Sequence, residues 1–89
     1  MSDVSDQFEN VSSGILRHIL RREPRHLKTL YVRHAVDMTL DALGRDVIDP
    51  SIPAHALEER IKAAAEARRA IDRHQRSKAH SALRKFWSI

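Results

Sequence analysis

Cysteine is absent from this chain, which excludes a disulfide framework and thiolate metal ligation and fits a reducing compartment. Aromatic residues are nearly absent: Phe8, Tyr31, Phe86 and Trp87 are all there are, so large rings add little to a core. No apolar run approaches the roughly 18 residues a membrane span requires. Met1 to Asn10 carries Asp3, Asp6 and Glu9 without a basic leader region, so neither secretion nor membrane insertion is expected and the expected location is cytoplasmic. Recognisable catalytic patterns are missing too. No serine stands in a nucleophile motif, and no glycine-rich phosphate loop, zinc finger or RNA-binding sheet motif occurs. The chain is read as a non-enzyme that needs no cofactor.

The 89 residues make one domain, and a chain of this length buries only about 60 to 65% of the surface its unfolded form exposes. A thin core makes self-association a natural supplement, most simply a two-fold homodimer. The formal charge of +4 hides a block pattern. Residues 1–16 carry −3, residues 17–33 carry +5, residues 34–59 carry −5 and residues 60–85 carry +7. Alternating blocks neutralise one another within a fold or between subunits, and only the last clearly exceeds its partners.

Apolar periodicity places three helices, near residues 3–22, 24–44 and 53–86, joined by a Pro24 corner and a loop at 45–52. Val4, Phe8, Val11, Ile15 and Ile19 recur at steps of four and three, with Leu16 and Leu20 widening the stripe. Ser2 or Ser5 is placed to cap this helix, and Gly14 in its interior reads as simple tolerance. Pro24 disfavours helical geometry at Glu23, so the first helix ends near Arg22 and a second begins at once. From Leu27 to Leu43 apolar residues occupy most of the circumference, which argues for cover on more than one side and hence for a dimer through the second and third helices. Gly44 reads as a left-handed cap closing the second helix. Asp49 or Ser51 reads as the cap of the third, with a proline in or near its first turn. At about 1.5 Å per residue that third helix would be about 48 Å long. Between Ile61 and Leu83 only Ile71 is a large aliphatic, so the middle of this helix projects, packs on a second subunit, or breaks near Gln75 to Ser77. The fold class expected is all-α, with one long C-terminal helix.

On that continuous helix Lys62, Arg69, Arg73, Arg76, His80 and Arg84 fall within about an 80° sector, away from the apolar seam of Leu57, Ile61, Ala64, Ile71, Ala79, Ala82 and Phe86. A row of cations along a helix suits the phosphates of a nucleic acid, DNA ahead of RNA, or the carboxylates of an acidic protein; it is equally a solvated Arg-rich face. Arg17, Arg21, Arg22, Arg25, His26 and Lys28 form a second basic cluster around Pro24. Whether corner and stripe share a face decides whether they make one patch. The leading expectation is a regulatory protein that contacts backbone phosphates through Lys62, Arg69, Arg73, Arg76 and Arg84, assisted by Arg21, Arg22 and Arg25. The rival is a helical protein-interaction module, an adaptor or antagonist of a regulatory protein, that uses the long helix and a C-terminal anchor of Phe86, Trp87 and Ile89. As core, those same residues would instead close the bundle.

Six histidines raise metal binding. Glu23 and His26 have E-x-x-H spacing, but Pro24 separates them and no second such pair follows. His34, Asp37 and Asp41 share a helix face at i, i+3 and i+7, a pattern more common in solvated strips that pair with arginine. No metal site is expected, and the histidines are read as tuning charge near pH 6 to 7.

Overall fold

A computed structural model of the chain describes residues 14 and 16–89, and these are all-helical. The chain runs from a helix covering residues 16–21 (α1) through a single 3-10 turn at Pro24–His26 into α2 (Thr29–Val47), α3 (Ala54–Asp72) and α4 (Arg76–Trp87). The expected helix start at residue 3, its Ser2 or Ser5 cap and the stripe residues Val4, Phe8, Val11 and Ile15 lie outside the described residues. Gly14 is helical and exposed, and a methyl group built on it meets nothing within 4 Å.

The single long C-terminal helix is corrected to two. The chain leaves helical geometry at Arg73–Gln75, where His74 takes a left-handed backbone with φ 59°. The Gln75 amide then donates to the Ala70 carbonyl at 2.8 Å and the His74 amide to Ile71 at 3.1 Å, the paired closure that ends helices at a left-handed residue. Folding α4 back on α3 solves the problem that a 48 Å helix posed, because the small residues of each half now cover the other. Ala63, Ala64, Ala67 and Ala70 of α3 and Ala79 and Ala82 of α4 are all buried, and α3 with α4 is the most extensive helix contact.

Three boundaries also differ from the pattern reading. α2 starts at Thr29 rather than Pro24, because Leu27 is extended (φ −110°, ψ 136°), with its side chain buried in the core. Gly44 lies inside α2 without a positive φ, so it is not the cap; α2 runs on to Val47, and Asp46 in this extra turn accepts from Arg60 of α3 at 2.8 Å. Neither Asp49 nor Ser51 caps α3. The Asp49 carboxylate instead accepts from the Ser51 amide and hydroxyl at 2.9 and 2.7 Å, closing a local turn, and α3 follows Pro53.

The main core joins Leu16, Ile19, Leu20 and Leu27 to Val32 and Val36 of α2, Ile71 of α3 and Leu83 of α4. A smaller cluster of Ala42, Ala63, Ala64 and Phe86 fills the opposite end, where Trp87 meets Phe86 edge-on at 5.0 Å. Thr39 links the two polar needs of this region: its hydroxyl donates to the Ala35 carbonyl at 2.8 Å and accepts from Trp87 Nε1 at 2.9 Å.

Candidate nucleic-acid interface

The position of the basic residues follows from how the helices alternate. α2 and α3 run antiparallel, since Asp46 near the end of α2 meets Arg60 near the start of α3, while Arg33 and Asp37 line a groove with Arg68 and Asp72. α3 and α4 are antiparallel through their hairpin turn. The start of α4 is fastened to the corner, because Arg76 Nη1 donates to the Leu27 carbonyl at 2.7 Å. One end of the molecule therefore collects the end of α1, the Pro24 turn, the start of α2, the end of α3 and the start of α4.

This arrangement joins part of the stripe to the corner cluster and separates the rest. Arg69 and Arg73 are exposed near the end of α3, at the same end as the exposed Arg21, Arg22 and Arg25. Arg25 lies within 2.6 Å of Glu23, with both side chains open to solvent, a geometry in which pairing contributes little. Residues 17–28 contain five Arg or Lys against Glu23, and residues 68–78 contain five against Asp72, so this end carries +8 while the other residues of the chain sum to −4. Such asymmetry produces a directed field that a net +4 understates.

Lys62 and Arg84 lie elsewhere. Lys62 is about 9 Å along α3 from Arg68, the first cation of the basic end, at about 1.5 Å per residue. It lines a separate groove with Glu59, Arg60, Glu66 and Lys85, where acids and bases are mixed. Arg84 is exposed two turns into α4. Two stripe members are not surface cations at all. Arg76 is half-buried and committed to Leu27, and His80 is 3% exposed. Burial is the main cause holding the His80 pKa below its ordinary value; the Ile19 and Arg22 carbonyls oppose this as acceptors for the protonated ring, and the positive Arg84 adds to the lowering. The break at residues 73–75 is the reason. It shifts the phase of α4 relative to α3, so residues that would share a face on one helix no longer do.

The same phase shift adds residues that the continuous-helix reading passed over. Arg68 and Lys78 fall outside the 80° sector yet are exposed beside the hairpin turn; Arg68 donates to Asp72 at 3.0 Å. The available signal was the polar run from Asp72 to Lys78, which has no apolar residue to hold a helix on the core.

Two helix N-termini point the same way. α2 and α4 both begin without a side-chain cap and without an acid in the first turn. Their unpaired amide hydrogens carry the positive end of each helix dipole, which favours phosphate oxygens. A backbone path at this end would thus meet guanidinium, ammonium and amide donors together.

The C-terminal anchor is largely consumed by the fold. Phe86 is buried, with the Arg60 guanidinium 6.0 Å above its ring, while Trp87 and Ile89 are half-buried against the core. Phe86 is corrected from a partner contact to a core residue, because its ring fills the space left by Ala42 of α2 and Ala63 and Ala64 of α3. For metal binding, His26 Nε2 stands 4.0 Å from Glu23, and His34, Asp37 and Asp41 are exposed. Among the described residues no group of three or more His, Asp or Glu side chains is placed to hold an ion. Among the same residues, no helix is long and apolar enough to cross a membrane.

No family model, curated protein or solved structure matches this chain.

Proposed function

We propose that the chain is a small cytoplasmic, non-enzymatic regulatory protein that holds nucleic-acid backbone phosphates, DNA ahead of RNA, at the end built from residues 17–28 and 68–78. The observation that carries this reading is the convergence of the two basic segments, fixed by the Arg76 to Leu27 hydrogen bond. Those segments hold ten cations against two acids, and the nine other than Arg76 give a footprint that a solvated helix face does not need. The open N-termini of α2 and α4 supply neutral donors of the kind phosphates accept. Contacts of this type position a backbone and carry no base sequence directly.

The acting unit in this reading is a homodimer. Leu30, Tyr31 and Val47 of α2 and Ile61 of α3 are exposed apolar side chains on the two helices expected to pair.

Light-scattering mass of the protein with a mixed-sequence duplex of about 20 base pairs, at about 50 and about 300 mM salt, tests both statements. The expected result is a dimer alone, and a complex at low salt that dissociates at high salt as counterions return. A monomer alone removes the dimer. Absence of a complex at low salt removes the nucleic-acid reading.

A further inference from the structure

Thr39 and His80 are the buried polar side chains among the described residues, and only His80 can change charge. Its position is specific. It lies one turn beyond Arg76 on α4, and both face the segment that carries the Pro24 corner: Arg76 reaches the Leu27 carbonyl, and the Ile19 and Arg22 carbonyls lie against the His80 ring. Those two carbonyls belong to the last turn of α1 and its exit, where the Ile19 oxygen also accepts from the Arg22 amide at 3.2 Å. Each side chain also keeps a buried nitrogen without a hydrogen-bond partner among the described residues, Nε of Arg76 and Nε2 of His80. The docking of residues 16–28 on α4 is therefore incompletely satisfied at the point where it is most polar, and buried unsatisfied groups weaken a contact.

We propose that Arg76 and His80 form a proton-sensitive latch: neutral His80 keeps residues 16–28 docked on α4, and its protonation releases them and disperses the cationic end. The charged groups around the ring favour release. On α4 it stands between Arg76 and Arg84, each four residues away, and from α1 it meets carbonyls. From α2 and α3 the core holds the apolar Val32, Val36, Ala67 and Ile71, and the buried polar Thr39 of α2 is taken up by the Ala35 carbonyl and Trp87. A positive ring in this setting has like charge on its own helix and apolar neighbours across the core.

The sign of the pH effect follows from linkage. The docked ring has a lowered pKa, so protons bind preferentially when the segment is undocked. Docking is complete above the ordinary histidine value of about 6.5 and weakens as pH falls below it. The effect on phosphate binding rests on the interface proposed above; the latch itself does not.

Amide hydrogen exchange of the full chain without ligand, at about pH 7.5 and about pH 5 with intrinsic rates corrected, tests it. Expected is a selective loss of protection over residues 17–27 at the lower pH, with α3 unchanged, and no such loss in His80→Gln, whose side chain does not titrate. His80→Leu, which replaces the ring by apolar volume, should likewise show equal protection at both values. The latch is overturned if the wild type keeps its protection at low pH, or if a folded His80→Gln or His80→Leu loses it equally. Failure of the interface reads differently, as no duplex binding at pH 7.5 with the segment protected.

Discussion

Gly44 shows how a residue can be read correctly for its chemistry and wrongly for its place. Glycine after an apolar run is the commonest left-handed stop, but α2 continues through it because Asp46, two residues on, finds Arg60 across the helix pair. The position is exposed, its φ is negative and a methyl group there meets no atom within 4 Å. Gly44→Ala should therefore stabilise the protein by about 0.5–1 kcal/mol, by lowering the backbone entropy of the unfolded chain. Chemical denaturation reads this directly, and a loss of stability would show a left-handed glycine instead. His80 makes the complementary point. Its spacing assigned it to a cationic row, yet it is buried, because spacing fixes a face only as long as the helix is continuous.

At the scale of elements, the all-α class, the Pro24 corner and, among the described residues, the apolar segments on either side of the 48–53 loop were legible, since each rests on periodicity or on proline's missing amide. The hairpin between α3 and α4 was legible only as one of three outcomes for a weakly anchored stretch. No glycine or proline marks residues 73–75; the turn is made by His74 in the left-handed region, a conformation that costs a residue with a Cβ about 1 kcal/mol. What drives it is tertiary. Alanines on both halves bury one another only if the chain folds back. His74→Gly should relieve the strain and raise the melting temperature by several degrees, at about 4–8 °C per kcal/mol for a domain of this size. A fall in melting temperature would mean that the histidine ring contributes more than its backbone costs. The same logic explains α4's other end, where Ser88 has φ 55° and the Ile89 amide closes on the Arg84 carbonyl at 3.0 Å.

For the molecule as a whole, the basic residues were legible and their grouping at one end was not. Both basic clusters are visible as charge blocks, but a sequence cannot show that α4 is fastened to the corner by Arg76. That contact, between residues 49 positions apart, turns a row along one helix into an end built from five segments. It leaves Lys62 in the mixed-charge α3–α4 groove and Arg84 two turns from the cluster. The measurement that bears most directly on this picture compares duplex binding at about 50 mM salt for Arg25→Glu/Arg73→Glu and for Lys62→Glu/Arg84→Glu, with helicity checked by circular dichroism. Both pairs change the net charge equally, so only location differs. The structure predicts that the Arg25 and Arg73 pair loses binding while the Lys62 and Arg84 pair keeps most of it; equal losses in the two, or the reverse order, would contradict a phosphate-binding end.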